Sequence, residues 1–105
     1  LNKFMRAYAE AMHYFLTNSE GTAQIVTKYT QVTDREVLAY SIDSEAKAME
    51  KTLQVDPKGV ELLLGFIAKT VPQAGSAKAE EFYDPRFTHD LRESGFLKKL
   101  WGNKL

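Results

Sequence analysis

The stretch Asp56-Pro57-Lys58-Gly59-Val60-Glu61-Leu62-Leu63-Leu64-Gly65-Phe66-Ile67-Ala68-Lys69-Thr70-Val71-Pro72 decides the fold class. An aspartate side chain can accept the free N–H groups of a first helical turn. Proline suits the first helical position because its missing N–H is not needed there. Val60, Leu63, Leu64, Ile67, Ala68 and Val71 recur at three- and four-residue steps, which predicts a helix that runs until Pro72 stops it. Leu62 and Phe66 widen its apolar arc to roughly 240°, leaving Lys58, Glu61, Gly65 and Lys69 outward.

The same logic extends in both directions. Leu1, Phe4, Met5, Tyr8, Met12, Phe15 and Leu16 share one face of a first helix from about Asn2 to Leu16, with an apolar arc of roughly 220°. Asn2, Lys3, Arg6, Glu10 and His13 fall on its polar side. Thr17-Asn18-Ser19-Glu20-Gly21 breaks the pattern, and Asn18 is a good N-cap for a shorter second helix that carries Ala23, Val26 and Tyr29 inward. Thr33-Asp34-Arg35-Glu36 reads as a capping box, a hydroxyl followed three residues later by a carboxylate. It opens a third helix to about Met49 with a narrow stripe of Leu38, Ile42 and Met49, which predicts a surface position.

Beyond Pro72, the small residues between Gln73 and Ala79 predict a connecting loop. Asp84-Pro85 repeats the cap-and-proline start, with Phe87 and Leu91 following at helical spacing. Gly95 is placed to adopt a left-handed C-cap, with Phe96 folding back onto the preceding turn. A last short turn carries Leu97, Leu100 and Trp101. Gln54-Val55 and Glu81-Phe82-Tyr83 are the only candidates for short extended pieces, and neither alternates long enough to make a strand. The fold class is all-α, with five to six short helices in a single segment, residues 1–105.

Two helices with such wide apolar arcs leave two readings. Either the fourth is a central helix covered by the other five, or part of this surface packs on structure outside these residues. The chain starts at Leu1 and not at methionine, so the expectation is either an omitted leader or tag or a piece of something longer.

Composition narrows the functional classes. The apolar content of 44% and charged content of 27% are those of a globular protein, and at 105 residues one core burying ~65% of the unfolded surface is expected. Fourteen basic and fourteen acidic residues cancel, so the basic excess expected of a nucleic-acid binder is missing. Lys98, Lys99 and Lys104 read as a solvated helix end that complements the helix dipole. The chain has no cysteine, which excludes disulfides and thiolate metal sites and leaves the redox compartment open. No stretch approaches the ~20 uncharged apolar residues of a membrane span, and the N-terminus lacks the order of a signal peptide.

No catalytic residue is nominated. His13 reads as a solvated histidine and His89 stands alone; a zinc site would need both together with carboxylates such as Glu10 or Asp90. Glu80-Glu81 and Asp43-Glu45 sit among polar neighbours and read as surface, not as an acid and base pair. There is no nucleophile elbow and no glycine-rich phosphate loop. Phe4, Tyr8, Phe15, Phe66 and Phe87 read as core, as do Met5, Met12 and Met49. Tyr14, Tyr40 and Tyr83 are less placed, and one of them is a candidate to border a cleft. No metal, cofactor or ligand-binding residue is nominated, and no enzyme is expected.

Taken in order, several stretches resemble the C-terminal part of the NMT1/THI5-like solute-binding proteins, which include nitrate, sulfonate, taurine and thiamine-precursor binders. They are Arg6-Ala7-Tyr8, Asn18-Ser19-Glu20, Lys28-Tyr29-Thr30 with Val32-Thr33-Asp34, and Asp56-Pro57-Lys58-Gly59-Val60. Tyr83-Asp84-Pro85-Arg86-Phe87 and Glu93-Ser94-Gly95-Phe96-Leu97 complete the series. The resemblance departs at Ser19, where the family often has proline; that touches helix initiation only.

The resemblance implies a two-lobed, periplasmic-binding-protein-like α/β protein of an ABC importer that closes on a small organic or anionic solute and delivers it to a membrane permease. It implies a periplasmic or lipid-anchored extracellular location. This segment would be the terminal helices packed on the outside of a lobe, with most ligand contacts made by residues outside it, so no ligand-binding position carries over. The alternative reading is a stand-alone helical protein–protein interaction module with an apolar groove for a partner helix. For the isolated segment, the apolar faces of the first and fourth helices predict self-association or domain swapping.

Overall fold

The computed structural model describes residues 1–105, and every regular element in it is helical. The α-helices are α1 (Asn2–Thr17), α2 (Ser19–Thr30), α3 (Arg35–Ala48), α4 (Pro57–Ile67), α5 (Arg86–Glu93) and α6 (Phe96–Trp101). Short 3₁₀ turns span Pro72–Ser76, Ala79–Glu81 and Gly102–Lys104. Gln54-Val55 and Glu81-Phe82-Tyr83 form no strand.

Most caps act as the side-chain chemistry requires. Asn18 alone separates α1 from α2. Its N–H donates to the Tyr14 carbonyl at 2.9 Å, and its Oδ1 accepts the Gly21 N–H at 2.9 Å, so one residue closes one helix and opens the next. A Cβ on Gly21 would strike the Tyr14 hydroxyl and lie 2.9 Å from Asn18 Nδ2, so a larger residue there would have to displace those side-chain ends. Asp56 accepts the Lys58 N–H at 3.0 Å, with Pro57 opening α4. Gly95 takes φ +74 between α5 and α6. The cap-and-proline start expected at Asp84-Pro85 is corrected: Pro85 itself is the N-cap of α5, no side chain caps the helix, and Asp84 accepts the Arg86 N–H at 3.0 Å from one residue further out.

The capping box at Thr33 is corrected. Asp34 is the N-cap of α3, accepting the Glu36 and Val37 N–H groups at 2.9 and 3.2 Å. The aspartate lies one residue nearer the helix than Thr33, and its Oδ1 reaches both N–H groups, so it takes the role. The extent of α4 is also corrected, because it ends at Ile67, ahead of Pro72. The Lys69 and Thr70 N–H groups shift to carbonyls three residues back, at Phe66 and Ile67. Val71 is then extended (φ −126, ψ 90), the conformation a following proline favours. The expected loop over 73–79 is largely the Pro72–Ser76 3₁₀ turn.

The main core is where α1, α5 and α6 meet. Ala9, Leu91, Leu97 and Trp101 are buried there, with Met5, Leu16, Leu53, Phe96 and Leu100 packed around them. Ala9 is small, which lets the later helices approach α1 closely. Leu53 reaches this core from the α3–α4 connection in the left-handed conformation (φ 57), a strained choice for a leucine that its packing sustains. The α2–α3 pair attaches through α1, and α4 packs on the two 3₁₀ turns that follow it.

That arrangement overturns the reading of α4 as a covered central helix. Leu64 is its one buried residue, whereas Leu62 is 76% exposed and Phe66 71%. Leu63 and Ile67 are exposed as well. Phe4, Tyr8 and Tyr29, expected inward, also face outward. Periodicity correctly groups these side chains on common faces, but within this chain nothing is folded over those faces. Only 8 of 105 residues are buried, and the radius of gyration is 17.0 Å, against about 13 Å for a close-packed domain of this length.

Candidate functional site

A groove of about 860 Å³ lies between α2, α3 and the end of α1. It exists because a four-residue connection, Gln31 to Asp34, folds α3 back along α2. Gln31 makes the reversal in the left-handed region (φ 62), and its Nε2 donates to the Lys28 carbonyl at 2.8 Å. Phe15, Leu16, Ala23, Leu38, Ala39, Ile42 and Ala46 supply its apolar lining. Three alanines let another backbone come near. Glu20, Arg35 and Asp43 stand among its polar residues, with Asp43 paired to Lys47 at 2.6 Å. The groove carries no group aimed at bond making or breaking; its character is that of a docking cleft.

A smaller notch of about 240 Å³ lies at the start of α5, lined by Gln54, Val55, Tyr83, Asp84, Thr88 and His89, among others. Its one strongly perturbed group is Asp84. The Arg86 side chain, with Nη2 at 2.5 Å from Oδ2, and then the Arg86 backbone N–H hold its carboxyl down at about 2. Asp84 is thereby committed to its own neighbour and is not free to act as a base. Glu50 is also lowered, first by the Thr52 N–H and then by the Thr52 hydroxyl, a local turn contact.

The third cluster surrounds Trp101. His13 meets its ring edge-on with centroids 4.7 Å apart, and Lys51 Nζ lies 5.0 Å from the ring centroid while donating to the Lys104 carbonyl at 3.0 Å. His13 is half-buried, so the expectation of a solvated histidine is corrected. The position belongs by spacing to the polar side of α1, but α6 folds its tryptophan against that edge. Trp101 Nε1 is buried without a hydrogen-bond partner.

The remaining residues singled out by sequence fall apart in space. His89 lies beside Asp90 at 4.0 Å, exposed on α5, and no three of His, Asp and Glu gather in a metal-holding arrangement. Glu80 and Glu81 are exposed on a 3₁₀ turn, as are Lys98 and Lys99 on α6. Of the three unplaced tyrosines, Tyr83 borders the notch, Tyr40 is 76% exposed, and Tyr14 leans over Gly21. No helix is long and apolar enough to cross a membrane. Comparison with protein-family models, with curated proteins and with solved structures found no match to this chain.

Proposed function

We propose that this chain is the C-terminal helical part of a solute-binding protein of an ABC-type importer. In this reading it does no chemistry and uses no cofactor. It braces a two-lobed body whose cleft takes a small organic or anionic solute for delivery to a membrane permease, outside the cytoplasm. The ordered series of stretches from Arg6 to Leu97 suggests the family. The observation that carries the reading is the unpartnered apolar surface of Leu62, Leu63, Phe66 and Ile67 on α4; Phe4 and Tyr8 on α1 are exposed as well. Such rows are what a helix presents to a body it packs against.

The first test is to sequence the coding region directly upstream of the codon for Leu1. The expected result is an export signal followed by alternating strand and helix patterns; a start codon immediately before Leu1 overturns the transport reading. The encoded protein is then titrated calorimetrically with nitrate, taurine, an alkanesulfonate and a pyrimidine. Saturable binding by that protein and none by residues 1–105 is expected. Tight binding by the 105-residue chain alone would move the solute site into it.

A second reading, a stand-alone helical interaction module, is favoured by one observation, the α2–α3 groove with its alanine-rich lining. Helix-in-groove docking uses such a cleft.

A further inference from the structure

We propose that two copies of the 105-residue chain pair reciprocally, each seating its α4 in the α2–α3 groove of the other. This goes beyond the transport reading and does not rest on it. A compact monomer of 11.9 kDa exposes about 5,900 Å², and this chain exposes 8249 Å², an excess of roughly 2,300 Å². Obligate homodimers bury about 1,000–2,500 Å² on each partner, so the excess is what one such interface removes.

The two faces that contribute to the excess are complementary. One is convex: Leu62, Leu63, Phe66 and Ile67 stand out from α4 as one row. The other is the concave groove, apolar along its floor. Lengths agree, since the 11 residues of α4 span about 16 Å and the 12 and 14 residues of α2 and α3 about 18 and 21 Å. Charges agree in sign. Residues 18–50 carry six acidic and three basic side chains, whereas α4 and its end, residues 57–71, carry Lys58 and Lys69 against Glu61.

The occupant is a second copy because the chain's own α4 is held elsewhere. The connection leading to it is anchored on the α1–α6 core by Leu53, and by Lys51 over Trp101 and onto the Lys104 carbonyl. Folding α4 back into its own groove would pull that connection off the core. Reciprocal exchange between two copies leaves it in place and closes on itself as a two-fold pair.

Sedimentation velocity on the 105-residue chain is expected to give twice 11.9 kDa. Phe66→Glu on α4 and Ala39→Glu in the groove each sediment as monomers at the same concentration, with unchanged helicity by circular dichroism. An equimolar mixture of the two variants pairs again, because one intact α4 meets one intact groove. A monomeric unmodified chain overturns the pairing and leaves the transport reading standing. A pair that survives either substitution, a mixture that stays monomeric, or an open-ended polymer overturns the α4-to-groove assignment. So does a variant that loses helicity, since it would place that exposed side chain in the chain's own core.

Discussion

Asn18 is the residue on which the geometry of the first half turns. Its backbone ends α1 and its side chain begins α2, with nothing between. Asn18→Ala leaves the Gly21 N–H without its acceptor and is expected to cost about 1 kcal/mol, measured as a shift of the urea midpoint at unchanged slope. Asp84 makes the corresponding prediction for pH. Its folded value, about 2, lies below the ordinary 3.8, so the stabilisation is fully present above 3.8 and is lost as pH falls through about 2. An NMR titration of the Asp84 carboxyl is expected to give that low midpoint, and Arg86→Gln to return it toward the ordinary value. A midpoint near 3.8 in the unmodified chain would mean that Arg86 does not hold the carboxylate in solution. These local features were largely legible in the sequence, because a cap depends on side chains within a few residues of the helix end. Thr33 differs for a reason of the same kind: two adjacent residues both have capping side chains, and Asp34, nearer the helix, takes the position.

Helices test a different kind of legibility. The short α6 supplies two of the four side chains in the main core, Leu97 and Trp101. Trp101→Ala is expected to destabilise by about 3–5 kcal/mol through the cavity it leaves. Trp101→Phe should cost less, because it leaves a smaller cavity and removes the buried unpartnered Nε1. Equal losses for the two variants in chemical denaturation would show that the indole N–H finds a partner in solution. The apolar spacing of this helix was visible in Leu97, Leu100 and Trp101, and so was that of α4. What spacing cannot state is which row meets another part of the chain. Leu97 is 1% exposed and Phe66 71%, although both lie on apolar rows. The groove was less legible still, since it is assembled from residues between Phe15 and Ala46 that become neighbours only when α3 folds back along α2. His13 illustrates the same gap, as its surroundings are set by Trp101, far along the chain.

The whole molecule is three loosely joined parts: the α1–α5–α6 core, the α2–α3 pair, and α4 with its 3₁₀ turns. Parts that share little buried surface open separately, so the chain should not unfold as one cooperative unit. Amide hydrogen exchange followed by mass spectrometry reads this directly. At low concentration, amides around Ala9, Leu91 and Leu97 should exchange slowest and those of α4 fastest, because α4 gives up little buried surface when it opens. Raising the concentration should then slow exchange in α4 and in the groove helices together while the core is unchanged, since pairing covers those two faces and adds nothing at the core. The joint response matters. Protection that rises in α4 alone would indicate pairing of α4 with α4, and protection that is uniform and independent of concentration would mean that the three parts fold as one body. In the full solute-binding protein of the transport reading, a lobe would cover the α4 row permanently. Its amides would then be slow at every concentration, so one exchange measurement on each form separates cover by a second copy from cover by the same polypeptide.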